Sequence, residues 1–520
     1  SGAGSLVKDT STSTLMLGTE FVPLTNTYSG GTTLSAGRIY MTPLNDSLLG
    51  TGTVTLNGGT LHFDRVALSN DIVNNGATLH LENGFGSSLA GNITNNALLN
   101  VVVQFTRQNI TGVISGSGGL AVTSLNGGSL VLSGANTYSG STSVDSGTLQ
   151  ISGAGSLGSG AYAGNIALFN DALFRYSSSA AQTLSGDVSG AGALTKDVSA
   201  ASTLTLSGTN TYTGATTVSA GTLRAGSTTA FGSNSAVTTN GTLDLNGFDI
   251  SVGSLAGSGT VSSSTVTTRT LTSGGDNTST TFSGVIQNGS GTTRFSKTGT
   301  GTQTLSGNNT YTGATTVSAG ALTLEGAWSV GTGMADVAVA AGSVLSGSGT
   351  LTAGQLSVGG LGTVSLTGNN LVGTIAGSGT VGTLTFNNDQ SLNVGSMDAT
   401  GSVLLTSTGA ASDLTLSNGA FLTSATTGNA ITLAAGRHFI NQSNGSALFT
   451  PNGRWLVYSD APADTVLGGL TGFKRYNLSY SASSSSSISQ PGNGFVLNGR
   501  LNRIWTGKAG SWKAHRFCRW

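Results

Sequence analysis

The sequence predicts an all-β solenoid, a chain wound into short stacked turns of strand, and three observations carry that expectation. A twenty-residue phrase recurs four times, its apolar residues alternate at strand period, and no heptad or helical apolar face lies between the copies. The phrase is clearest at 204–223, which reads L-T-L-S-G-T-N-T-Y-T-G-A-T-T-V-S-A-G-T-L. Repeats this short cannot bury a hydrophobic face alone, so each must stack on its neighbours.

Aligned on tyrosine, the copies place Tyr28, Tyr138, Tyr212 and Tyr311 in register, each two residues after an asparagine: Asn26, Asn136, Asn210 and Asn309. A threonine precedes every tyrosine. Glycine follows two residues later at Gly30, Gly140, Gly214 and Gly313. Then come Leu34, Val144, Val218 and Val317, a second glycine at Gly37, Gly147, Gly221 and Gly320, and the apolar Ile39, Leu149, Leu223 and Leu322. These eight Asn and Tyr residues are the expected structural repeat positions. In the third copy Leu204 and Leu206 alternate with threonine, as one face of a strand requires. S-G-T-N-T is read as turn chemistry, since glycine accepts positive φ and asparagine bonds nearby backbone. A second strand is expected at 215–219 and a third from Thr222.

This pattern resembles the autotransporter-associated β-strand repeat of passenger domains in type V secreted bacterial surface proteins. A glycine-rich lead-in with lysine also belongs to that pattern. It appears as G-A-G-S-L-V-K at 2–8, G-A-G-A-L-T-K at 190–196 and R-F-S-K at 294–297, while the second copy has Val122 at the lysine position. The resemblance implies a right-handed parallel β-helix exported across an outer membrane, secreted or at the bacterial cell surface, with an outer-membrane translocator as partner.

Composition agrees with one repetitive object. Only 40 of 520 residues are charged, against 82 glycines; regularly spaced aliphatics and just five prolines argue for a fold over disorder. Zero net charge leaves no electrostatic footprint for nucleic acid, so no nucleic-acid partner is expected. The single cysteine, Cys518, excludes an internal disulfide scaffold, and no stretch approaches the roughly 20 apolar residues of a membrane helix. With no initiating Met or signal peptide, and Ser1 inside a repeat lead-in, the chain reads as a mature or excised piece of a longer precursor.

Along the chain, solenoid repeats are expected over 1–429. Thr53 to Leu61 (T-V-T-L-N-G-G-T-L) places an N-G-G turn between two strands. The tyrosine spacings of 110, 74 and 99 are unequal, so turns of other sequence intervene. A shorter phrase, G-S-G-T-V at 257, persists from 326 to 435 as G-S-G-T-L at 347 and G-S-G-T-V at 377. Residues 430–480 resemble a section of haemagglutinin-like, two-partner-secreted adhesins and are expected to form a terminal rung or cap. A Ser-rich linker is expected at 481–499 and a basic aromatic tail at 500–520, with six Lys or Arg and no acid. At roughly 22 residues per turn and ~4.8 Å per stacked strand, 1–480 is expected to form a rod of about 100 Å.

The search for chemistry returns no expected catalytic, cofactor-binding or metal residues. His62 and Asp64 lie close together, but no G-x-S-x-G elbow accompanies the abundant serines. His80 and Glu82 share a strand face without a third ligand and read as exposed strand residues. Periodic aspartate for a calcium roll is missing, and no G-K-[ST] follows the glycine runs. Arg224, Asp244 and Asp249 are the set from which a β-helical lyase or hydrolase would draw. Paired threonines such as Thr53/Thr55, Thr203/Thr205 and Thr383/Thr385 raise an ice-binding alternative, though threonine suits the solvent face of any strand. The leading expectation is a non-catalytic extracellular adhesin or scaffold. Its partners would be host or neighbouring cell-surface glycans or proteins, with end-to-end self-association through unpaired terminal strands. Trp455 and Tyr458 are the aromatic contact candidates, against burial under the cap.

Overall fold

The computed structural model describes residues 2–10, 12–18, 26–41, 48–82, 87–198, 202–481 and 485–498. The expected tail at 500–520 and the 482–484 part of the serine tract lie outside these residues. The chain divides into two compact units, Ser1–Thr265 and Val266–Trp520. Both are parallel β-solenoids, and among the described residues there is no α-helix, only three short 3-10 turns.

In the first unit each turn of the solenoid contributes strands of two to six residues, which hydrogen-bond to their equivalents in neighbouring turns. The register shows the step directly: Leu204 pairs with Leu223 and Leu223 with Leu243, Val218 with Thr239, and Leu56 with Asn74. All of these pairings are parallel. Alternation then sorts the side chains. In Thr216–Val218 and Thr222–Ala225 the burial pattern is buried, intermediate, buried and its inverse, so Val218 and Leu223 enter the core while Thr217 and Arg224 face out. The eight repeat positions Leu34, Val144, Val218, Val317, Ile39, Leu149, Leu223 and Leu322 are all wholly buried.

The unequal tyrosine spacing has a geometric meaning. The strands that follow Tyr28, Tyr138 and Tyr212 are Thr32–Leu34, Thr142–Val144 and Thr216–Val218, and they belong to three different sheets. The phrase is thus placed on successive faces of the solenoid and is not stacked on itself.

Two repeat glycines are required for separate reasons. At the position two after tyrosine, a Cβ would fall 2.2 to 2.6 Å from a backbone carbonyl oxygen of the turn beneath, as at Gly30, Gly140, Gly214 and Gly313. The second glycine turns the corner with positive φ: 76° at Gly37 and Gly147, 75° at Gly221 and 66° at Gly320.

In the second unit the same winding continues through the region that lacks the tyrosine phrase. Leu351–Asn388 is one extended run of 38 residues that passes around almost two turns. Its start pairs with Trp328–Ser329, Met334–Val339 and Val344–Gly347, and its later part with Leu392–Val394, Met397–Ala399 and Val403–Ser407. The 430–480 section is built of further stacked strands, with Gly428–Ala435 on Val403–Ser407 and Gly453–Ser459 on Gly428–Ala435.

Part of the expected linker is structured. Gly494–Leu497 is a fully buried strand that pairs with both Gly453–Ser459 and Phe473–Tyr476. Composition misleads here because the anchoring residues, Ile488 and the F-V-L of that strand, are few among the serines. Phe473, Leu478, Tyr480 and Ile488 pack on Ala434, Leu456, Tyr458 and Val496, forming a second apolar layer on the outside of the solenoid. Arg454 fastens it by donating to the carbonyl oxygens of Ile488, Gln490 and Ser485.

Candidate binding surface

The repeat residues face inward. Tyr138, Tyr212 and Tyr311 are fully buried and Tyr28 is partly so. Each phenol oxygen meets a threonine hydroxyl four residues on: Thr32 at 2.6 Å, Thr142 at 2.9 Å, Thr216 at 2.8 Å and Thr315 at 2.8 Å. Burial pushes all four phenols up from their ordinary pKa, against the lowering effect of that bond. The threonine is legible in the sequence as a sixth invariant, T at tyrosine plus four, and was missed.

The asparagines bridge turns rather than only closing their own. Asn210 accepts from the Val188 N–H one turn below and donates to the Ala230 carbonyl one turn above. Asn136 and Asn309 accept from Ile114 and Ile286 in the same way, while each also donates to a carbonyl two residues back. Asn26 donates to the Leu48 carbonyl. A second asparagine device is an exposed amide ladder, Asn57 to Asn75 to Asn96, at 2.9 Å per step.

The lead-in lysines complete this interior. Lys8, Lys196 and Lys297 pair in register with Leu34, Val218 and Val317, so their stems run through the core. Lys196 donates to the carbonyls of Asp197, Val198 and Ala220, all at a corner. Desolvation lowers the Lys196 and Lys297 pKa values. In the second copy, where Val122 replaces lysine, the corner is held by Ser146, whose hydroxyl donates to the Ser124 carbonyl and accepts from the Ser124 N–H.

Arg224 and Asp244 are register partners joined at 2.8 Å. The Asp244 carboxylate also accepts from the N–H groups of Asn246 and Ser264, so its acceptor capacity goes to structure. Asp249 is exposed. Asp64 pairs with Arg65 at 3.3 Å.

His80, expected as an exposed strand residue, is half-buried, and His62 beside it is buried. It stacks on His80 with ring centroids 4.2 Å apart, and Tyr40 meets it edge-on at 4.5 Å, so His62 is only 2% exposed although it points away from the core. Burial, then the nearby His80 and Arg38, pull its pKa down to about 3, against the raising effect of Asp64. The Glu82 side chain lies outside the described residues. Trp455 and Tyr458 are both buried, Trp455 against Phe495 and Tyr458 against Tyr480. Burial raises the Tyr458 phenol to about 12. Neither is a surface contact. The Thr203/Thr205 pair is followed one turn on by Thr222 and Arg224, which breaks a paired-threonine face after a single turn.

The outward surface carries one concave feature of a different chemistry, in the second unit. Two columns of outward residues run across the turns at 377–449. The first is Thr380, Asp398, Thr423 and Phe449, each in register with the next. The second includes Ser396 and Phe421, linked by a Phe421 N–H donating to the Ser396 hydroxyl at 3.2 Å. Between them lies a groove of about 490 Å³ lined by Gly377, Gly379, Thr380, Ser396, Met397, Asp398, Phe421 and Thr423. Phe421 and Phe449 are 44% and 52% exposed, with rings 19° from parallel and centroids 6.4 Å apart. Thr423 donates to one oxygen of Asp398. Nothing in the sequence pattern announced this group, because its members recur nowhere else.

A family model described as the passenger-associated-transport-repeat matches the chain four times, at 10–39, 122–151, 201–225 and 295–324. One of the four aligned tyrosines falls in each match. No curated protein and no solved structure matches the chain.

Proposed function

We propose, from the premise that these four repeats mark an autotransporter passenger, a secreted or cell-surface protein, that the chain works by contact and not by catalysis. Its role is that of an adhesin or scaffold whose outward strand faces meet glycans or other cell-surface polymers. The observation that carries this reading is the partition of the repeat. Asn210, Tyr212, Thr216 and Lys196 of the third copy are spent inside, on one another or on backbone of their own and neighbouring turns, and of the recurring hydrogen-bonding side chains the threonine before the tyrosine, Thr211, faces out. The other outward positions of the repeat vary among small and polar residues, as at Ser35, Asp145, Ser219 and Ser318, and the Asp244 carboxylate is held by Arg224 and two backbone N–H groups.

A rigid polar face of this kind favours many weak hydrogen bonds, and display of several copies on one surface multiplies them through effective concentration. The test is to incubate the protein with a panel of polysaccharides and follow product by mass spectrometry alongside binding. Binding without any change in polysaccharide mass is expected. Product formation abolished by Asp244→Asn or Asp249→Asn would overturn the non-catalytic reading in favour of a glycan-active solenoid enzyme.

A further inference from the structure

We propose that the groove between Asp398 and Phe421 is a subsite for a neutral hexose unit of a glycan. The inference rests on the contact reading above and deepens it, naming one place and one ligand class.

Three features of the groove converge on that class. Phe421 and Phe449 are exposed in adjacent turns and nearly parallel, which makes an apolar platform two turns long on a surface otherwise dominated by small polar residues. A pyranose ring presents a face of C–H bonds that packs on such a phenyl surface, while its hydroxyls project at the ring edge. Polar groups stand where that edge would lie. Asp398 and Thr423 are register neighbours, Thr380 precedes Asp398 in the same column, and Ser396 is two residues from Asp398 on the same face. Thr423 occupies one Asp398 oxygen, so the carboxylate is oriented and keeps acceptor capacity for sugar hydroxyls.

The floor is bare. Gly377 and Gly379 line it, and a Cβ at Gly379 would meet nothing within 4 Å, so the ligand has access to backbone between the two columns. Its volume of about 490 Å³ lies within the size range of small-ligand clefts.

Charge selects among sugars. Asp398 is the one ionisable residue lining the groove, so a sulfated, phosphorylated or uronic acid residue would bring like charge against it without a compensating cation. A neutral hexose meets no such penalty. Stacking without full burial makes each site weak, in keeping with a surface that relies on multiple copies.

The experiment is isothermal titration of the full chain with cellohexaose and maltohexaose as neutral probes and a heparin-derived hexasaccharide as the anionic one. At least one neutral probe should bind, and the anionic probe should bind at least tenfold more weakly. Phe421→Ala and Asp398→Ala should each weaken neutral binding by at least tenfold with unchanged melting, since both side chains are exposed. If neither neutral probe binds, or if the anionic probe binds more tightly, the proposal is overturned. If the neutral probes bind the wild type and both variants equally, the groove is not the site, and the wider reading of glycan contact survives alone. If a bound neutral probe is cleaved while Phe421→Ala abolishes its binding, the subsite stands and the non-catalytic reading falls.

Discussion

The turn that carries Tyr212 and the turns that carry Phe421 and Phe449 share an interior plan and differ in what they offer to solvent. Around Tyr212 the inward residues are Leu204, Val218 and Leu223; around Phe421 they are Met397, Leu422 and Leu448, all buried. Outside the first lie Thr211, Thr213, Thr217 and Ser219. Outside the second lie an aromatic pair, a carboxylate and a glycine floor. The first region is where the family resemblance is strongest, and its defining residues face neighbouring turns. The second has no trace of the phrase. A recurring motif in a solenoid therefore reports how turns stack, and residues that choose a ligand are to be sought where the motif is silent.

The most disruptive way to test this division is to charge the interior of the Tyr212 turn. Val218→Asp places a carboxylate in a fully buried column and should cost roughly 3–5 kcal/mol, with adjacent turns loosening together as expected for nearest-neighbour stacking. Ser219→Asp, one residue away and exposed, should stay within about 0.5 kcal/mol of wild type. Chemical denaturation of both variants checks the pair, and equal midpoints would mean that the inside and outside of this strand are misassigned.

Removing the buried ammonium should have the next largest effect. Lys196→Ala deletes a core-filling stem and strips donors from the carbonyls of Asp197, Val198 and Ala220, at about 2–4 kcal/mol. Lys196→Val, which copies the residue found at Val122, refills part of the space and should lose less. Equal losses for the two substitutions would show that stem packing contributes nothing.

His62 sharpens the comparison from another side, since it is outward by alternation yet covered by Tyr40 and His80. Its folded pKa of about 3 lies below the ordinary histidine value near 6.5. The unfolded chain therefore binds more protons between those values. The stabilisation is complete above about pH 6.5 and is lost progressively as the pH falls towards 3, amounting to up to about 2 kcal/mol by pH 5. Melting from pH 8 to pH 4 should show this decline, and His62→Phe should flatten it; an unchanged slope in the variant would place the acid sensitivity elsewhere.

The smallest interior effect belongs to Tyr212→Phe. It keeps the ring but removes the bond to Thr216, for a loss of about 1 kcal/mol. Melting of Thr216→Val should show a larger loss than Tyr212→Phe, because the Thr216 hydroxyl also meets the buried Ser235 hydroxyl at 3.0 Å; equal losses would show that the second contact contributes nothing.

The solenoid itself was open to sequence reading, since the strands at Thr203–Leu206, Thr216–Val218 and Thr222–Ala225 fall where alternation put them. The inward fate of Val218 was equally visible. Placement of the copies on different sheets was not, because it depends on the summed length of intervening turns, which range from 18 residues between Leu56 and Asn74 to 25 between Thr148 and Leu173. The structured end of the serine tract escaped notice because a short F-V-L strand gains its stability from Gly453–Ser459 beneath it and not from local composition. For Trp455 and Tyr458 burial under the cap was the expected alternative to surface contact, and Phe495 and Tyr480 do cover them. The groove was invisible for a related reason. Asp398, Phe421 and Phe449 meet only because successive steps of 25 and 26 residues bring them to one face.

The central claim, that this chain stacks with its motif and makes contact with its exterior, is tested most directly by measuring melting temperature and neutral-hexasaccharide affinity on the same two variants. Tyr212→Ala, in the first unit, should lower the melting temperature clearly while leaving affinity unchanged at temperatures where the protein is folded. Phe421→Ala, in the second, should leave melting unchanged and weaken binding at least tenfold. Both quantities moving together in either variant would contradict the separation of fold from contact.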